Sequence, residues 1–75
     1  MKRILELMKE IKPGFVFEGR TDLIDSGDFD SFDVISLVSE MNTEFDIDVP
    51  VEEIIPENFN SLEAIERLVK GLLED

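Results

Sequence analysis

No cysteine and no histidine occur in this sequence of 75 residues. Without cysteine there is no disulfide framework, no thiolate zinc site and no thiol nucleophile; without histidine the commonest general base is missing. Carboxylates could still do acid–base work, but on a short charged helical chain they are far more often solvated surface. The chain is therefore expected not to be an enzyme. Basic residues are scarce as well, seven against nineteen acidic ones, for a net charge of −12. That charge repels nucleic acid and anionic membrane surfaces and favours basic protein surfaces as partners. Long apolar runs are missing too. The N-terminus reads Met1-Lys2-Arg3-Ile4-Leu5-Glu6, so charge interrupts any signal-peptide core or membrane span, and a cytoplasmic chain without membrane insertion is expected.

What is present is a 43% hydrophobic content spread along the chain, which argues for one folded domain over residues 1–75 and against a disordered acidic segment. A core this small leaves a stability margin on the order of a few kcal/mol. Ile4, Leu7, Met8 and Ile11 fall at helical spacing before Pro13-Gly14, predicting a first helix from about Lys2 to Lys12, with Leu5 off its stripe. Pro13 to Asp30 is predicted to be a long loop, with Phe15, Val16, Phe17, Leu23 and Ile24 as apolar anchors. A second helix is expected from Ser31 to about Phe45 behind an N-cap at Asp30, its core face carrying Val34, Leu37, Val38, Met41 and Phe45. Phe32 and Ile35 fall outside that face, Phe32 beside the small polar Ser36, Ser39 and Thr43. A brief helix is expected over Val51–Ile55, stopped by Pro56, and a last helix behind an Asn60–Glu63 capping box, with Leu62, Ile65, Leu68, Val69 and Leu72 facing inward. The predicted fold class is all-α, a small bundle of three principal helices plus one short helix, with a long loop between the first and second helices.

Asp22 to Asp33 has the outline of a calcium-binding loop with Gly27 at its sixth position, but the third position is Ile24, which has no side-chain oxygen, and Ser26 is a poor fifth ligand. No metal site is expected. Ser31 at a helix start is most simply a first-turn residue. A hydroxyl there also sits where backbone N–H groups and the helix dipole favour an anion.

The run Gly27-Asp28-Phe29-Asp30-Ser31-Phe32-Asp33, then Phe45-Asp46-Ile47-Asp48-Val49-Pro50 and Phe59-Asn60-Ser61-Leu62-Glu63-Ala64-Ile65, resembles the phosphopantetheine-dependent acyl and peptidyl carrier proteins over the chain from about Leu23. The family hallmark is Asp-Ser-Leu; here it is Asp-Ser-Phe. The resemblance implies an acyl-carrier-like fold and a covalent phosphopantetheine on Ser31, flanked by Asp30 and Phe32 and donated by coenzyme A, which supplies the thiol this sequence lacks. Ser26 lies five residues too early for the spacing to Phe45 and Pro50. The implied function is a non-catalytic carrier, expected to be monomeric, that presents an acyl or aminoacyl thioester to partner enzymes. Those partners are a phosphopantetheinyl transferase and acyl or aminoacyl ligases, transferases or synthases. Phe32, Asp33, Ile35, Ser36, Ser39 and Glu40 form the expected docking face.

Fatty-acid carriers usually carry a dense acidic run along the second helix. Here Ser36, Ser39, Asn42 and Thr43 dilute it, leaving Asp33, Glu40 and Glu44. Together with Phe32, Gly27 and the long Val51-to-Phe59 connection, this is more similar to D-alanyl carriers or stand-alone aminoacyl carriers. The alternative is an unmodified acidic helical module that binds proteins through the same face.

Overall fold

The first apolar stripe folds as helix α1, Ile4–Ile11, in the computed structural model of the chain, which describes residues 3–74. Ile4, Leu7 and Met8 are buried, while Leu5, off the stripe, is only half-buried. The expected start at Lys2 lies outside the described residues. At the other end the helix stops before Lys12, which leaves helical geometry (φ −134°, ψ 76°) while its N–H still donates to the Met8 carbonyl. Pro13 follows, and a residue before proline is pushed out of the α region.

Helix α2, Ser31–Phe45, opens on the expected cap. Asp30 Oδ1 accepts the Asp33 N–H at 2.9 Å and Asp33 Oδ2 accepts the Asp30 N–H at 3.3 Å, a reciprocal capping box. All five residues assigned to its core face are buried. The helix ends at Asp46, whose φ of 54° is a left-handed conformation that aspartate tolerates. Asn42 makes this turn. Its carbonyl accepts the N–H groups of Asp46 and Ile47, and its side-chain Oδ1 accepts that of Val49 at 3.1 Å, which carries Val49 into the core. Asn42, expected to dilute an acidic surface, is thus a turn residue.

The short helix expected over Val51–Ile55 is replaced by a 3₁₀ turn at Val51–Glu53 and a separate one-turn helix α3, Pro56–Phe59. Pro56 does not stop a helix but starts one, because at the first helical position its missing N–H costs nothing and its fixed φ is already suitable. The turn of α3 drives Phe59 into the core. Helix α4, Leu62–Glu74, buries Ile65 and Val69 and lays Leu62, Leu68 and Leu72 against the core's edge. Its cap is Ser61, whose Oγ accepts the Ala64 N–H at 3.1 Å, and not the expected Asn60. Asn60 faces the long loop instead. Its Oδ1 accepts the N–H groups of Ile24 and Asp25 at 2.8 and 3.1 Å, and its carbonyl accepts that of Leu23 at 2.9 Å.

The loop between α1 and α2 is pinned by Phe17, Leu23 and Phe29, each fully buried, with Phe17 edge-on to Phe29 at 6.0 Å between ring centroids. Val16, expected as an anchor, is 68% exposed: its neighbours Phe15 and Phe17 turn inward, and extended backbone points successive side chains opposite ways. Arg20 fastens the polar side. Its guanidinium reaches Asp22 at 3.0 Å, Asp28 at 2.8 Å and Ser26 Oγ at 3.2 Å. The Arg20 and Ser26 hydrogen bonds hold the Asp28 carboxyl below its usual range, and Asp28, before Asp22, raises Arg20 above its own. Two positions of the calcium-loop outline, Asp22 and Asp28, therefore already face a cation of the chain.

With a net charge of −12 the folded chain repels itself. Salt, or a few millimolar of a divalent cation, is expected to raise the melting temperature through screening and diffuse carboxylate binding. A melting curve indifferent to ionic strength would count against repulsion as a main destabiliser.

Candidate functional site

Ser31 is the first residue of α2 and is exposed. Because the Asp30 carboxylate caps the helix, the Ser31 hydroxyl is not needed for that task. It borders an apolar cleft of about 210 Å³ whose other walls are Ile24 from the loop, Val34 and Ile35 from α2, Ile54 and Ile55 from the connector and Pro56 and Phe59 from α3. The first-turn N–H groups and the helix dipole contribute positive potential at the hydroxyl, opposed by the capping carboxylates of Asp30 and Asp33. An exposed hydroxyl there, beside an apolar hollow, suits attachment of a group that is anionic at its root and less polar beyond.

Ser26 has a different environment. Its hydroxyl has the Leu23 carbonyl at 3.2 Å and Asp28 Oδ2 at 2.9 Å as acceptors, and it receives N–H groups from Asp28 and Arg20. That oxygen is held inside the loop's own network.

The other expected site residues sort by exposure along α2. Phe32 is 75% and Ile35 63% exposed, so the long loop does not fold over them. Ser39 and Glu40 are exposed, Ser36 is half-buried, and Asp33 is half-buried because its carboxylate serves the capping box. Ile35 belongs to both features, since it is exposed and also walls the cleft beside Ser31. Sequence reasoning missed the walls given by Ile54, Ile55 and Phe59; the only signal was an apolar doublet ahead of Pro56. It also gave no role to Lys12, whose ammonium donates to the Asp28 carbonyl and lies 3.8 Å from Asp33 Oδ2.

Comparison with known proteins agrees with the motif. The family described as "Phosphopantetheine attachment site" matches residues 2–69. Aminoacyl carrier protein 1 of Bradyrhizobium diazoefficiens is 42% identical over 52 residues, 69% of this chain and 57% of the relative. Aminoacyl carrier protein 2 of the same organism is 40% identical over 51 residues, 68% of this chain and 56% of the relative. The chain thus pairs with little more than half the length of either. No solved structure gives a significant match.

Proposed function

The chain belongs to the phosphopantetheine carrier family, and on that premise we propose that Ser31 is its attachment residue and an aminoacyl group its cargo. The observation that carries the assignment is the contrast between two hydroxyls: Ser31 is exposed at the positive end of a long helix, and Ser26 is bonded into its loop. In the modification, Ser31 Oγ forms a phosphoester bond to the phosphorus bearing pantetheine. The pyrophosphate P–O bond of coenzyme A breaks, adenosine 3′,5′-bisphosphate leaves, and the hydroxyl proton passes to the transferase. The bound group supplies a terminal thiol on which cargo is held as a thioester. The chain's own residues anchor the arm at Ser31, offer the neighbouring cleft and present a docking face, while catalysis belongs to the partners.

The aminoacyl cargo is supported by the names of the two relatives and by an α2 face carrying Ser36 and Ser39 where fatty-acid carriers concentrate acid. D-alanyl carriers fall within the same class. The partners are a phosphopantetheinyl transferase and an aminoacyl ligase or transferase, and the working location is the cytoplasm; among the described residues no helix is long and apolar enough to cross a membrane. Intact-mass measurement tests this directly. Coenzyme A and a permissive transferase are expected to add one phosphopantetheine, and a chain that never gains mass would overturn the proposal. The mass of the charged form from its source then reads the cargo.

Phe32 and Ile35 are proposed to meet the partner. Exposed substitutions usually cost little, so Phe32→Ala or Ile35→Ser is expected to lose under about 1 kcal/mol of stability, whereas a buried large-to-small change loses about 2–5 kcal/mol. Modification or loading by partner enzymes should fall by more than folding does. Denaturation of each variant beside its rate of modification decides the matter, and a large stability loss with unchanged partner kinetics would make both residues structural.

A further inference from the structure

The chain's modest supply of cations is placed unevenly around Ser31. The capping-box carboxylates of Asp30 and Asp33 lie at that end of α2. Arg20 is committed to Asp28 and Asp22. Among the described residues, the cation that pairs with the capping box is Lys12, just past the end of α1. Its ammonium lies 5.6 Å from the centre of the Phe15 ring, donates to the Asp28 carbonyl and stands 3.8 Å from Asp33 Oδ2. That same oxygen accepts the Asp30 N–H at 3.3 Å, and the Asp33 N–H returns to Asp30 Oδ1 at 2.9 Å. One ammonium therefore joins the end of α1, the end of the long loop and, through Asp33, the capping box that brackets Ser31. The contact is partly sheltered, with the Asp33 side chain 20% exposed, so it is less screened than a free surface pair.

We propose that Lys12 is a positioning residue for the modified serine: it holds Asp33 in the capping box and offsets the negative charge that a phosphodiester on Ser31 adds beside the capping-box carboxylates of Asp30 and Asp33. The inference rests on Ser31 being the attachment residue. A lysine serving only as a structural brace would stabilise the unmodified and modified forms alike. A charge-compensating lysine stabilises the modified form more, because only there is a further anion present.

The test compares melting temperatures of both forms at low salt for the unaltered chain, Lys12→Met, Lys12→Arg and Asp33→Asn, after peptide mapping of the modified residue. The readout is the melting temperature of the modified form minus that of the unmodified form. In Lys12→Met this difference is expected to fall by about 3 °C, a size readable in a domain this small, and to recover as salt is added. Lys12→Arg keeps the charge and should keep the original difference. Asp33→Asn removes one carboxylate while leaving an oxygen for the cap, and should raise the difference; this variant decides the question if Lys12→Met does not fold. Equal lowering of both forms by Lys12→Met, or no change in the difference with Asp33→Asn, overturns the inference and leaves the Ser31 assignment standing. Modification mapped to another residue overturns both.

Discussion

Ser31→Ala is expected to leave the chain folded and wholly unmodified when coenzyme A and a phosphopantetheinyl transferase are supplied. The effect is all-or-none because, in the proposed assignment, the Ser31 oxygen is the atom that forms the bond to phosphorus, and alanine has no replacement. Folding should be spared: the cap belongs to Asp30, the Ser31 side chain is exposed, and alanine is a good helix former at an early helical position. Ser26→Ala is expected to do the reverse. Its hydroxyl is shared among Asp28, Arg20 and the Leu23 carbonyl, so its loss should loosen the loop while modification still proceeds. Intact mass and thermal melting of the two variants side by side give four readings. Modification lost in Ser26→Ala and kept in Ser31→Ala would place the arm on the loop.

The parts of this architecture that were legible in the sequence are those whose cause is local. Helix α2 could be bounded because an aspartate cap and a 3.6-residue apolar period lie next to each other in the chain, and its five core residues follow from that period alone. Long-range causes were not legible. Asn60 lies three residues before Glu63 and looks like half of a capping box, yet its oxygen is claimed by backbone N–H groups of Ile24 and Asp25, 36 and 35 positions away. Ser61, the next residue, caps the helix instead through the Ala64 N–H. Pro56 illustrates a different ambiguity, because the same ring that ends a helix from within begins one at the first position. At the site, residue spacing alone left Ser31 a first-turn serine; its proposed role came from resemblance to a family, and the cleft came only from the meeting of α2, α3, the connector and the loop.

Phe29 was among the residues the sequence left unassigned, since it lies in a loop with no period, and it is expected to matter most for folding. Its side chain is fully buried, its ring meets Phe17 edge-on, and its N–H donates to the Leu23 carbonyl at 3.0 Å, closing the turn that leads into Asp30. Truncation to alanine removes the ring from the core and from Phe17, keeps the backbone bond, and leaves a void in the core. Changes of this kind cost about 3–5 kcal/mol. For 75 residues folding around one small core that is comparable to the whole margin of stability, on the order of a few kcal/mol. Phe29→Ala is therefore expected to populate unfolded chain at room temperature, while Phe32→Ala, three positions on, melts close to the unaltered protein. Self-repulsion sharpens the difference, so added salt should partly restore Phe29→Ala. Chemical denaturation of the two variants followed by circular dichroism makes the comparison. Near-equal midpoints would mean that the loop is not anchored to the core through Phe29, and that the frame around Ser31 is held by the polar contacts of Lys12 and Arg20 instead.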